Sequence, residues 1–76
     1  MIQELDSVVL TNDIYEYDLQ QGDIGAVVHC YSHGKAFEVE FVNGHGDTIA
    51  ILTLAKKDIR LIHHQEILHA RELLAA

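Results

Sequence analysis

From Ala36 to Val42 apolar and charged side chains take turns: Phe37, Val39 and Phe41 are interleaved with Glu38 and Glu40. Only an extended backbone sends every second residue to the same side, so this segment reads as a strand with one buried and one wet face. Its flanks fix the neighbours. Ser32-His33-Gly34-Lys35 separates it from the run Val27, Val28, Tyr31, and Asn43-Gly44-His45-Gly46-Asp47 separates it from Thr48-Ile49-Ala50-Ile51-Leu52-Thr53-Leu54. Short glycine-bearing turns between β-rich runs make hairpins, so three strands are expected as an antiparallel meander. The last of the three is almost wholly apolar and is expected in a central position, either covered on both sides or crossing between two sheets.

The meander is entered through Gly22-Asp23-Ile24-Gly25. Glycine reaches positive φ without steric cost and Asp bonds nearby backbone, so this is a tight turn with Asp23 as its turn former. Ahead of it, the β-branched Ser7-Val8-Val9-Leu10-Thr11 reads as a first strand. Residues Thr11 to Gln21 form an excursion without a clean period, in which Ile14 and Leu19 are expected to tuck inward. After the meander, Ala55-Lys56-Lys57-Asp58 suits one 3₁₀ turn and Ile59-Arg60-Leu61-Ile62 a fifth strand. From His64 the residues are good helix formers with no Gly or Pro, and Ile67, Ala70, Leu73 and Leu74 make an apolar stripe. The reading is one mainly β domain: a five-stranded antiparallel barrel over 1–63, followed by a C-terminal α-helix over 64–76 whose stripe is the expected surface for self-association into a homo-oligomer.

Charge narrows the function classes. Every charged residue before Lys35 is acidic (Glu4, Asp6, Asp13, Glu16, Asp18, Asp23), and the net charge is -7 at pH 7. Nucleic-acid binding depends on cations that displace phosphate counterions, so DNA and RNA are disfavoured and a basic protein partner is favoured. The lone Cys30 cannot form an intrachain disulfide, which points to a reducing cytoplasm. No apolar run approaches the ~20 residues of a membrane span, and the N-terminus lacks a signal-peptide pattern.

The candidate chemistry is thin. His63, His64, Glu66 and His69 cluster, but on a helix only Glu66 and His69 share a face, so no metal site and no cofactor is assigned. His29 and Cys30 are adjacent on a strand and face opposite ways, which separates nucleophile from base, and Cys30 is read as core. Glu38 and Glu40 are a solvated strand face, and Gly22 to Gly25 lacks the helix and lysine of a phosphate loop. No catalytic residue is assigned and the chain is read as non-enzymatic. The best functional candidate is the acidic excursion: Asp13, Tyr15, Glu16, Tyr17 and Asp18 set aromatic anchors among charges, a pattern of protein interfaces, with a solvated loop over buried tyrosines as the bland alternative.

Five short strands in this order, a long excursion after the first and a 3₁₀ turn before the last resemble an SH3-like small barrel over roughly Leu5 to Ile62. More closely, Glu4-Leu5-Asp6-Ser7-Val8-Val9-Leu10, Gly22-Asp23-Ile24-Gly25-Ala26-Val27-Val28, Phe37-Glu38-Val39-Glu40-Phe41 and Thr48-Ile49-Ala50 resemble the bacterial domain-of-unknown-function 4926 family. That resemblance implies a bacterial origin and a shared barrel, brings no catalytic residues, and leaves the segment from His64 as an addition to the family's end. The function expected is a small protein-interaction domain, of the antitoxin or immunity type. The alternatives are a KOW-like nucleic-acid- or ribosome-associated module, suggested by the Gly-Asp-x-Gly-x-Val wording, and an accessory subunit of an enzyme.

Overall fold

The computed structural model describes residues 1–73. Strands β1 (Ser7–Leu10), β2 (Ile24–Tyr31), β3 (Ala36–Val42), β4 (Thr48–Ala55) and β5 (Ile59–Leu61) form one antiparallel sheet in the order β4-β3-β2-β1-β5. The sheet rolls onto itself, since Leu54 of one edge strand and Ile59 of the other join the same buried cluster as Val8, Leu10, Val27 and Val39. Rolling lets one five-stranded sheet act as both walls of its own core, which suits an SH3-like barrel.

The alternation in β3 is realised: Phe37, Val39 and Phe41 are buried, while Glu38 and Glu40 lie on the outer face. Each such burial contributes roughly 1.5–3 kcal/mol, so this strand is a main source of stability in the sheet. The two glycines before and in β2 serve different needs. Gly22 sits at φ +96°, where a side chain would be strained, whereas Gly25 is buried and lets Val39 and Phe41 approach the backbone directly. Within β2, Val27 pairs with Val39 and His29 with Glu38, so Val28 is an extra, exposed residue at a bulge that bends the strand.

Two expectations are corrected. β4 is an edge strand rather than a central one. Ala50 and Leu54 point into the core, but the outward positions include Ile51, which is 51% exposed, and an apolar residue on the wet side hides the alternation. The second correction concerns the tail. The described residues contain no α-helix, and residues 62–73 are irregular apart from one turn at His64 and Gln65. No helix among them is long and apolar enough to cross a membrane. An isolated helix of about 13 residues is marginal in water, and here side-chain anchors to the barrel outweigh helical propensity. With the helix goes its stripe: Ile67 is 90% exposed, Ala70 is exposed, Leu73 is half-buried, and Leu74 lies outside the described residues.

Candidate functional site

The excursion between β1 and β2 is ordered by a short reversal. Ile14 and Leu19 form an isolated antiparallel bridge, each donating its N–H to the other's carbonyl at 2.8 and 3.2 Å. One 3₁₀ turn, Tyr15–Tyr17, fits between them, closed by Asp18 in the left-handed region. Leu19 is buried and Ile14 packs on the core from its edge, which leaves the residues of the turn on the outside. Tyr15 is 85% and Tyr17 44% exposed, so the tyrosines are not the buried kind. Glu16 stands exposed between them. Asp13 is occupied in part: its Oδ1 accepts the Gln21 N–H at 2.8 Å and so ties the start of the excursion to its end.

Beside this turn lies a group that sequence reasoning missed. Asp23 Oδ2 accepts the Gln20 N–H at 2.8 Å, as a turn former should, and the same carboxylate also binds the tail. Arg71 Nε donates to Asp23 Oδ1 at 2.9 Å and its Nη2 to Asp23 Oδ2 at 2.6 Å, a bidentate fork, while Nη2 also donates to the Asp18 carbonyl at 2.6 Å. The pair is largely screened from water, with side-chain exposures of 24% for Arg71 and 19% for Asp23. Burial acts to raise the Asp23 pKa, but the bonds from Arg71 and Gln20 and the charge of Arg71 prevail and hold it below the ordinary carboxylate value. Arg71 is raised in turn, chiefly by its bonds to Asp23, with smaller contributions from the charges of Asp18 and Asp13. Asp23 thus binds the guanidinium directly, the Asp18 main-chain carbonyl adds an acceptor, and the charges of Asp18 and Asp13 act on it from further off. The only sequence signal of this was global: no lysine or arginine before Lys35 and a single arginine near the end.

A second anchor precedes it. Arg60 in β5 donates from Nη1 and Nη2 to the two Glu66 oxygens at 2.8 and 2.7 Å, and the His63 N–H donates to Glu66 Oε1 at 2.7 Å. These bonds pull the Glu66 pKa down to about 2. Glu66 is therefore committed to Arg60 and is not poised as a ligand beside His69; among the described residues no group of three or more His, Cys, Asp or Glu is placed to hold a metal ion. Between the strapped tail and the barrel runs a cleft of about 630 Å³, lined by Leu19, Ile24, Phe41, Ile49, Arg71 and Leu73 among others.

The remaining candidates are structural. Cys30 is half-buried against the core, while His29 lies on the outer face, with Nδ1 3.5 Å from Glu4 and its ring edge-on to Tyr31. Glu38 accepts from Thr53 Oγ1 and Tyr31 OH, and Glu40 from Thr48 Oγ1, so both carboxylates are laid along the sheet.

A family model described as Domain of unknown function (DUF4926) matches residues 4–61, ending at the last residue of β5. No curated protein and no solved structure matches the chain.

Proposed function

This chain belongs to the DUF4926 family, and we propose that it is a non-enzymatic protein-binding module whose acidic excursion receives an arginine-bearing segment of a partner. The observation that carries the reading is the conjunction of a bare aromatic, Tyr15, with a neighbouring site where Asp23 and the Asp18 carbonyl already hold a guanidinium, the carboxylate in bidentate geometry. Exposed tyrosine supplies contact area at small entropic cost, and a preformed acidic cradle supplies orientation, the two ingredients of an interface hot spot. The short bridge from Ile14 to Leu19 fixes the turn before a partner arrives, which lowers the ordering cost of binding. Net charge -7 speaks for a basic protein surface and against phosphate. A compact anion of this kind suits the masking role of an antitoxin or immunity protein.

The test is a random-peptide display library panned on the wild-type chain and on Arg71→Ala, with enriched peptides titrated calorimetrically against Tyr15→Ala. Enriched peptides are expected to carry arginine, to bind Arg71→Ala more tightly than wild type, and to lose about tenfold or more in affinity on Tyr15→Ala. Peptides that bind Tyr15→Ala as well as wild type, or panning that enriches nothing on either chain, would sink the proposal.

A further inference from the structure

Edge strands in stable monomers are short, charged, bulged or covered, because an open ladder invites another strand. β5 obeys this rule: it has three residues, one of them Arg60, and the tail is pinned beside it through Glu66. β4 does not. It runs for eight residues, Thr48–Ala55, without a charged residue or a proline, and among the described residues 49–54 make backbone ladder bonds to β3 alone. Its irregularity is confined to one end, where the register with β3 shifts between Phe41 and Val42 and leaves Ala50–Leu54 regular. Among the described residues, the tail shares a cleft with β4 at that same end, where Ile49 lines it.

We propose that β4 pairs antiparallel with β4 of a second copy, about a two-fold axis through Leu52, to make one continuous ten-stranded sheet. The sequence of the regular stretch is self-complementary in that register. Leu52 meets its own mate, Ala50 meets Leu54 of the second copy, a small residue against a large one, and Ile51 meets Thr53, a β-branched pair on the outer face. Ile51, half exposed in the single chain, and Leu52, only partly covered, are the side chains that gain cover. Charge is the natural objection to self-pairing in a chain of this acidity, and the geometry answers it. Glu40 stands opposite Ile51 and Glu38 opposite Thr53 on β3, so the backbones that carry them in the two copies lie three strand spacings apart, about 14 Å, and the carboxylates, which lean toward β4, are held by the Thr48 and Thr53 hydroxyls. The backbone separation exceeds the screening length of about 8 Å at physiological salt, and any repulsion between the leaning carboxylates weakens as salt is raised. β4 itself carries no charged residue for a charge-selected partner to read, whereas a second copy needs none. A 76-residue fold buries a small share of its surface, and pairing extends the sheet without a new element.

A strand ladder with a few apolar side chains is a small interface, so association in the micromolar to sub-millimolar range is expected. Sedimentation velocity from about 10 µM to 1 mM should show the mass rising from one chain to two, and an isotope-filtered NOE experiment on a mixed labelled and unlabelled sample should connect Leu52 methyls across copies. Ile51→Lys puts two ammonium groups diagonally across the seam and should hold the chain monomeric with its far-UV CD unchanged. Leu61→Lys, on the opposite edge, should leave the dimer intact. A wild type that stays monomeric to 1 mM, a dimer indifferent to Ile51→Lys, or open-ended growth into larger species would each overturn the pairing.

Discussion

Gly25 offers the sharpest test of the packing, because the structure says what an added methyl would strike. A Cβ at this position would stand 2.7 Å from Val39 Cγ1, 2.8 Å from Phe41 Cε1 and 3.0 Å from the Glu40 carbonyl oxygen. Carbon atoms rest at about 3.5–4.0 Å, so Val39 and Phe41 must each retreat by roughly 0.7–1.3 Å. Both are buried in a close-packed interior with nowhere to go, and the carbonyl belongs to the β2–β3 ladder region and moves only with its strand. Overpacking of this kind costs about 1–3 kcal/mol, and three simultaneous conflicts place Gly25→Ala in the upper half of that range. Against it, alanine restricts the unfolded chain, a gain of about 0.4–1 kcal/mol. The net is a loss of about 1–2.5 kcal/mol, which for a domain of this size lowers the melting temperature by about 5–15 °C. Thermal and urea unfolding followed by CD measure it. The same substitution in a Val39→Ala background, where the tightest conflict has been removed, should cost less by at least about 0.5 kcal/mol. A Gly25→Ala chain as stable as wild type, or an equal loss in both backgrounds, would refute the close-approach argument.

Gly22→Ala should also destabilise, by about 1–2 kcal/mol, but through φ +96° rather than contact, since no atom lies within 4 Å of the added carbon; Val39→Ala should give no relief, and D-alanine at position 22 introduced by chemical synthesis should restore the midpoint. Glu66 predicts the acid behaviour of the tail. Its carboxyl is depressed from 4.5 to about 2, so its contribution is fully present above pH 4.5 and is lost as the pH falls from there through about 2. Carboxyl-detected NMR should therefore show Glu66 titrating near 2, and Arg60→Ala should bring the midpoint back toward 4.5; a midpoint that ignores Arg60 would mean the fork does not form.

What could be read from the sequence follows from how each element is encoded. β3 was legible because every second residue contrasts with its neighbours, and the turn at Asn43 because its side-chain oxygen accepts the N–H groups of His45 and Asp47, a local device written in adjacent residues. β4 was misplaced because Ile51 puts an apolar group on the wet side, and composition cannot distinguish an edge that attracts a partner from a strand covered within its own chain. The bulge at Val28 left no mark, since an extra valine among valines changes no pattern. At the candidate site, Tyr15, Tyr17 and the acids were visible as residue types, and the inward Ile14 and Leu19 implied that some of them face water, but which ones was settled only by the Ile14–Leu19 bridge that turns the tyrosines outward. Asp23 was legible as a turn former through Gln20, three residues away; its bond to Arg71, 48 residues away, has no local signature.

The tail shows why propensity lost. Residues 64–73 favour a helix one by one, but their combined preference is small, and the first turn must be nucleated at a loss. The chain begins such a turn, with the Glu66 N–H donating to the His63 carbonyl at 3.1 Å, and then abandons it. Glu66 fixes the start of the segment on Arg60, and Arg71 fixes its end on Asp23. Five residues in a helix advance about 7.5 Å, whereas extended they reach about 17 Å. The extended form thus widens the range over which two anchors can be joined, at the expense of a few solvent-exposed helical hydrogen bonds that water replaces at little net loss. A bidentate ion pair screened from water at one end and a three-donor carboxylate at the other outweigh those bonds. The same exchange brings a cation to Asp23 beside the acidic turn between β1 and β2, so the departure from helix and the neutralisation of Asp23 are a single event.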